Sequence, residues 1–200
     1  MYDIKSYIIQ LFVALYPKYE MEHAAMKELT CCATGHRDVP VKDVAFVKKE
    51  LKREIEQAIE DGYTRFISGF ANGVDLYFAE IVAEQRRKHP RLRLEAAIPY
   101  RKRLFDLLDD KEAKPLLLSC TDIGIHAEKY TRNVFAARNR YMVTNSNRII
   151  AVYDGRQNGG TLFTLRLART LQKDVHRITI SRNPASMAAL SPVQKLQSVE

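Results

Sequence analysis

Three short segments of the sequence combine glycines with hydroxyl, amide or charged side chains, a combination that suits the binding of an anion. Residues 34–37, Thr-Gly-His-Arg, place a hydroxyl and a guanidinium beside a glycine, and the guanidinium fork matches phosphate or carboxylate. Residues 68–75, SGFANGVD, hold two glycines four positions apart and end in an aspartate. Residues 158–161, Asn-Gly-Gly-Thr, offer two glycine amides beside a hydroxyl. One such turn is a weak signal, but three together predict a phosphate-binding site.

Each segment also has a simpler interpretation. Arg37 equally suits a tight turn with a surface cation, and Asp75 either accepts a ribose hydroxyl or caps its own helix. In a later predicted helix, apolar spacing puts Asn139 on the inner side, as a structural residue or a ligand contact. Arg138 and Arg140 are expected at the surface, with one of them reaching an anion as the alternative. The candidate ligand-binding residues are Thr34, Gly35, His36, Arg37, Ser68, Gly69, Ala71, Gly73, Asp75, Asn139, Gly159, Gly160 and Thr161.

Strands and helices alternate along the chain, and the glycine segments fall where strands end. The predicted strands are 29–34, 63–68, 92–98, 122–126, 148–153 and 175–180. The predicted helices are 41–59, 74–88, 101–120 with a break at Pro115, 131–145 and 160–173. Such alternation implies crossover connections and a mostly parallel sheet covered on both faces. We therefore predict a Rossmann-like three-layer α/β sandwich that binds its ligand at the carboxyl ends of the strands.

The composition bears on the kind of partner and on the cellular compartment, but it does not identify a single partner. The 200 residues are 46% hydrophobic and 28% charged, so most of the chain is predicted to fold. The formal net charge of +8 permits nucleic acid or anionic ligands as partners. The run 85–93, QRRKHPRLR, suits either nucleic acid or a solvated helix end, and no aromatic residues interleave it. Cys31, Cys32 and Cys120 are odd in number and lack metal-ligand spacing. This pattern predicts free thiols and no metal site. Free thiols in turn indicate a reducing compartment, and we expect a cytoplasmic location.

The two ends of the chain are predicted to lie outside the main domain. Residues 1–27 contain the apolar segment 6–16, which is shorter than the ~20 residues that span a bilayer and lacks a basic leader. We expect an amphipathic helix that packs on its own domain or on a second copy, and a homodimer is the favoured outcome. Residues 28–181 are predicted as the nucleotide-binding domain and 182–200 as a loosely ordered tail.

Four segments of the chain together form a recognisable set: TGHR, SGFANGVDLYFAE, RNRYMVTNS and VYDGRQNGGT. They resemble the YpsA-like family of the SLOG superfamily, to which the DNA-processing protein DprA and the LOG-type cytokinin-activating enzymes also belong. The resemblance runs from about residue 29 to residue 180. It implies a Rossmann-like domain of SLOG type that binds a nucleotide or a nucleotide-derived molecule such as ADP-ribose or NAD.

One departure from the LOG-type pattern bears on catalysis. Those enzymes carry a glutamate three residues after the Gly-Thr pair, and Thr164 stands at that position here. Cleavage of an N-glycosidic bond needs a carboxylate, which leaves Asp75 and Glu80 as candidates. The leading hypothesis is a nucleotide-binding or nucleotide-sensing protein without robust catalysis. The alternatives are an N-glycoside hydrolase or transferase acting on a nucleotide or nucleoside, and a DprA-like protein that binds single-stranded DNA.

Overall fold

The computed structural model describes residues 28–180, which form six strands and six helices. The strands are β1 (Leu29–Thr34), β2 (Tyr63–Ser68), β3 (Arg93–Ile98), β4 (Asp122–Ile125), β5 (Arg148–Tyr153) and β6 (Asp174–Thr179). The helices are α1 (Val41–Glu60), α2 (Val74–Gln85), α3 (Arg101–Asp109), α4 (Ala113–Leu118), α5 (Val134–Thr144) and α6 (Gly160–Thr170). The predicted terminal helix and tail lie outside the described residues.

All six strands pair in parallel, in the order β4-β3-β2-β1-β5-β6. The chain builds the sheet outward from β1 to β4 and then returns to the other side of β1 with β5. The loops that follow β1 and β5 therefore leave toward opposite faces of the sheet and open a crevice between them. Such a switch in strand order is where open α/β sheets bind ligands.

The sheet is covered on both faces, so most residues of its central strands β1, β2 and β5 are buried. On one face, inward residues such as Phe66 and Leu94 pack against α1, α2, α3 and α4 in the larger core. On the other face, Ile67 and Ile149 pack against Met142 of α5 and Ala168 of α6. The predicted Rossmann-like three-layer α/β fold is confirmed.

The structure corrects one break within a predicted helix. The break falls between Asp110 and Glu112, not at Pro115. The carboxylate of Asp110 accepts hydrogen bonds from the backbone amides of Glu112 (2.9 Å) and Ala113 (2.8 Å), which starts a new helix. Pro115 lies in the first turn of α4, where a residue without an amide proton is tolerated. None of the helices in residues 28–180 combines the length and apolar composition that crossing a membrane requires.

Candidate functional site

A cavity of about 420 Å³ opens at the switch point between the carboxyl ends of β1 and β5. Ten of the residues singled out in the sequence line it: Thr34, Gly35, His36, Arg37, Ala71, Asp75, Asn139, Gly159, Gly160 and Thr161. Gly69 lines a neighbouring cavity, and Ser68 and Gly73 support the loop between β2 and α2. The three glycine segments, which are far apart in sequence, thus meet at one edge of the sheet.

The loop between β2 and α2 is held by a small set of internal hydrogen bonds. The hydroxyl of Ser68 donates to the backbone oxygen of Asp75 at 2.8 Å and accepts from the amide of Phe70 at 3.2 Å. Gly73 has a φ of 78°, and a Cβ there would lie 2.6 Å from the carbonyl oxygen of His36. This position therefore needs glycine for its backbone conformation and for its approach to the β1 loop. The helix α2 that follows has no side-chain cap on its first amides.

A buried ion pair joins this loop to α5. Nη1 of Arg138 lies 3.6 Å from Oδ2 of Asp75, and that oxygen also accepts a hydrogen bond from the amide of Ala71 at 3.2 Å. Arg138 is 4% exposed, and its Nε and Nη1 have no hydrogen-bond partner within residues 28–180. Burial raises the pKa of Asp75 and lowers that of Arg138, and each charge partly offsets the shift of the other. The expectation that Arg138 is a surface residue is wrong, whereas Arg140 is exposed.

Gly69 is the residue that makes space for this pair. A Cβ at Gly69 would lie 1.6 Å from Nη1 of Arg138 and 2.5 Å from Oδ2 of Asp75. Any larger side chain would have to displace the guanidinium. The requirement for glycine here is one of space, because the guanidinium occupies the volume that a side chain would fill.

The start of α6 forms the opposite wall of the cavity. Gly159 precedes the helix, and no side chain caps the helix's first amides. Thr161 and Thr164 are buried and line the cavity, and the hydroxyl of Thr164 has no hydrogen-bond partner among the described residues. The amino end of an 11-residue helix with uncapped amides attracts negative charge. The side chains of Arg138 and Thr164 have donors without partners among the described residues, and these donors also favour an anion in this cavity.

A second polar network closes the β1 and β5 loops. His36 is buried, with Nε2 3.0 Å from Oδ1 of Asp154, and Asp154 also pairs with Arg156 at 2.6 Å. Burial lowers the pKa of His36 despite the nearby carboxylate. Burial alone would raise the pKa of Asp154, but hydrogen bonds from Arg156 hold it below its ordinary value. Arg156 extends to Asp38 at 3.3 Å, so this network ties the two loops together.

A second cavity of about 350 Å³ lies beside the first, over the carboxyl ends of β2 and β3. Its own lining includes Asn72, Tyr100 and Arg103. The two cavities share five lining residues: Arg37, Asp38, Ala71, Phe135 and Arg138. The site is therefore a two-lobed groove along the carboxyl edge of the sheet, with two guanidinium groups where the lobes meet.

Two features singled out in the sequence lie away from this groove. Glu80 accepts a hydrogen bond from Lys48 of α1 at 2.6 Å and lines neither cavity. The basic run 85–93 connects the end of α2 to the start of β3, at the opposite edge of the sheet. Within that run, Arg86 donates to the backbone oxygen of Leu92, and Arg93 pairs with Asp122. Residues 28–180 contain no cluster of histidine, cysteine and carboxylate groups that could hold a metal ion.

Of the three thiol residues, Cys32 lines the first cavity, whereas Cys31 and Cys120 line neither cavity. Cys31 and Cys32 are buried and Cys120 is half-buried, and all three are free. Burial raises the pKa of Cys32 and of Cys120 to about 12, so neither is a thiolate at neutral pH. The predicted free thiols are confirmed.

Comparison with known proteins identifies the family and agrees with the fold. A family model described as the YspA SLOG family matches residues 33–182. A UPF0398 protein of Halalkalibacterium halodurans is 26% identical over 153 residues, which are 69% of this chain and 77% of the relative. A UPF0398 protein of Bacillus thuringiensis is 27% identical over 133 residues, which cover 63% and 71% of the two chains. A solved structure of DNA processing protein A from Helicobacter pylori, described by its single-stranded DNA binding, has a TM-score of 0.56 and 19% identity. That match covers 78% of this chain and 67% of the other, and it shows a shared fold.

Proposed function

The chain belongs to the YspA SLOG family, and we propose that it binds a nucleotide or a nucleotide-derived molecule such as ADP-ribose or NAD in the groove at the switch point. The observation that carries the proposal is the Arg138 guanidinium, which is buried beside the groove with two nitrogens lacking hydrogen-bond partners in the described part of the chain. Burying a cation without full hydrogen bonding costs free energy. A phosphate in the groove would supply the missing acceptors.

The surroundings of Arg138 favour phosphate over other anions. Gly160 and Thr161, at the uncapped start of α6, line the same cavity, as does Thr164, whose hydroxyl has no hydrogen-bond partner among the described residues. Several donors converging on one cavity match the several oxygens of a phosphate group. The exposed guanidinium of Arg37 lies at the mouth of the groove and adds a second cation.

Calorimetry with ADP, ADP-ribose and NAD tests this proposal. We expect Arg138→Met to weaken binding by about 10- to 150-fold, since a hydrogen bond to a charged group contributes about 1.5–3 kcal/mol. Arg140→Met, an exposed arginine on the same helix, is the matched control and should leave the affinity unchanged. Arg37→Ala should weaken binding less than Arg138→Met does, because water screens its charge. The proposal fails if no nucleotide binds the wild type, or if both α5 variants bind as tightly as it does.

We propose binding or sensing without hydrolysis, because the carboxylates available for chemistry are few and engaged. Asp75 lines the cavity, but its Oδ2 is held by Ala71 and faces Arg138. Glu80 pairs with Lys48 outside the groove, and Thr164 supplies a hydroxyl where a LOG-type enzyme has a glutamate. Incubation with nucleoside monophosphates should release no free base by chromatography. Release that disappears in Asp75→Asn would establish N-glycoside hydrolysis instead.

Binding of single-stranded DNA is the second candidate, suggested by the charge and by the fold shared with DNA processing protein A. The basic run 85–93 lies at the opposite edge of the sheet from the groove, which separates the densest cations from the proposed binding site. DNA binding of this kind should weaken steeply with salt as counterions are released. A gel shift that responds to Arg87→Ala and Lys88→Ala, but not to Arg138→Met, would favour it.

A further inference from the structure

The second cavity has the chemistry of a subsite for another ring-bearing half of the ligand. We infer that the groove accepts a dinucleotide-type molecule, with its bridging phosphates at the Arg37–Arg138 junction and one of its rings in the second cavity against Tyr100. This inference rests on the proposed nucleotide site and specifies which class of nucleotide fits it. Tyr100 and Arg103 lie outside the three glycine segments, and Asn72 lies within the second of them. None of these three residues is among the ligand-binding candidates taken from the sequence.

The residues at the junction between the two lobes indicate which chemical group of the ligand lies there. Arg37 and Arg138 line both cavities, so a molecule that occupies both must pass its connecting group between these two guanidiniums. The unpartnered Nε and Nη1 of Arg138 require acceptors. A diphosphate bridge supplies several anionic oxygens in a short span, which matches two forked cations.

The second cavity offers a surface for a flat ring. The ring of Tyr100 lies 5.6 Å from Tyr130 and 6.2 Å from Phe135, and both contacts are edge to face. Tyr100 and Phe135 line the cavity together with Pro99. Stacking of a base on an aromatic side chain contributes about 1–3 kcal/mol. Arg103 and Asn72 provide polar contacts beside this surface.

The charge balance of the second cavity suits a short anion better than a polymer. Its lining holds three arginines, Arg37, Arg103 and Arg138, against two aspartates, Asp38 and Asp106. The cationic excess of the lining is small, which suits a ligand whose negative charge is confined to one bridge. The carboxylates can also accept hydrogen bonds from ribose hydroxyls, whereas a run of phosphates would meet them as like charges.

The ligand also fits by size. Each lobe, about 420 Å³ and about 350 Å³, lies within or near the range of cavities that hold a small molecule. A mononucleotide occupies one lobe and leaves the other to water. A dinucleotide buries surface in both lobes at the cost of immobilising one molecule, so it should bind more tightly than its mononucleotide half.

A graded ligand series tests the inference by calorimetry. We expect AMP to bind least tightly, ADP-ribose more tightly because it adds the second phosphate and ribose, and NAD most tightly because it adds the second ring. Tyr100→Leu should remove the advantage of NAD over ADP-ribose, a loss of about 5- to 150-fold in affinity, while AMP binding changes by less than about twofold. Arg103→Ala should weaken NAD and ADP-ribose but not AMP. The matched controls are Phe105→Leu and Arg101→Ala. Both residues are exposed, lie in α3 as Arg103 does, and line neither cavity.

The outcomes separate this inference from the proposal on which it rests. If AMP and NAD bind equally tightly, or if Tyr100→Leu weakens both by the same factor, the two-lobed ligand is wrong while the nucleotide site stands. If no nucleotide binds and Arg138→Met changes nothing, both are wrong. If a short oligothymidylate binds more tightly than NAD and competes with it, the groove holds a nucleic acid strand and the dinucleotide inference is overturned.

Discussion

The Asp75–Arg138 pair should behave as a coupled unit. Removing either charge alone should lower the free energy of unfolding strongly, whereas removing both should change it little. At 3.6 Å and an effective dielectric constant of about 20, the attraction between the two charges is about 4–5 kcal/mol. Taking each ion out of water costs several kcal/mol, so the pair as a whole contributes little to stability. Its two members nevertheless depend on each other, because either charge left alone keeps its desolvation cost.

The two single variants should differ in a predictable direction. Asp75→Asn leaves a buried guanidinium that cannot lose its proton, and we expect it to lower the free energy of unfolding by about 3–5 kcal/mol. Arg138→Met leaves a carboxyl that can take up a proton, because burial already raises the pKa of Asp75. Its loss should therefore be smaller than that of Asp75→Asn and should shrink further as the pH is lowered toward 5.

The double variant Asp75→Asn/Arg138→Met completes the cycle. We expect its free energy of unfolding to lie within about 1 kcal/mol of the wild type, or above it, because no uncompensated charge remains. Urea unfolding at neutral pH measures all four proteins, and Arg140→Met serves as the control. Losses that simply add in the double variant would refute the reasoning, since they would show that the two side chains do not interact.

The same four proteins separate the structural role of the pair from its role in binding. A ligand at a concentration 100 times its Kd stabilises the folded state by about 2.7 kcal/mol. We expect NAD or ADP-ribose to raise the melting temperature of the wild type and of Arg140→Met but not that of the double variant. A double variant that is stable and still responds to ligand would place the phosphate away from Arg138.

Three further results are expected. The free energy of unfolding should fall as the pH drops below about 6.5, because burial lowers the pKa values of His36 and His126 and the unfolded chain then binds protons that the folded chain does not. In urea titrations, His126→Phe should reduce this pH dependence and leave the part that is due to His36. Gly69→Ala should abolish nucleotide binding by displacing Arg138, whereas Gly124→Ala, where the nearest atoms lie 3.6 Å from the new Cβ, should bind normally in calorimetry. Light scattering should find the full chain as a dimer and a chain beginning at Lys27 as a monomer; a monomeric full chain would contradict this, and a dimeric shortened chain would place the interface elsewhere.

Short apolar runs bounded by turn residues were sufficient to predict the strands of the sheet. Strands β1, β2 and β5 begin and end as predicted, because a strand buried on both faces is a short apolar run bounded by turn residues. Helix ends were less accurate, since several predicted helices extend two or three residues beyond those observed, as at the end of α2. The break near Asp110 was missed because it depends on a local side-chain cap rather than on a residue that breaks helices.

The groove was predicted from its loops but not from its buried cation. The glycine segments could be placed together because parallel strands end at one edge of the sheet. Arg138 was assigned to the surface because the inner face of its helix was drawn through Asn139. The sequence did contain a signal, since Val134, Arg138 and Met142 follow each other at intervals of four residues and are all buried. A charged residue within such a series is either paired or facing a ligand, and here the carboxylate partner came from a different segment.

The arrangement of Gly69, Asp75 and Arg138 explains why the middle glycine segment matters even where its amides do not line the first cavity. The segment supplies a missing side chain at Gly69, a counter-charge at Asp75 and, through Gly73, a close contact with the β1 loop. Each of these features positions or accommodates one guanidinium. The pair is nearly neutral as a structural element, so its free energy of desolvation can be recovered when an anion binds. In the proposed site, phosphate would be selected by the donors that the folded protein leaves unsatisfied. Thr164, whose hydroxyl has no hydrogen-bond partner among residues 28–180 and stands in place of a carboxylate, would extend the same binding chemistry to α6.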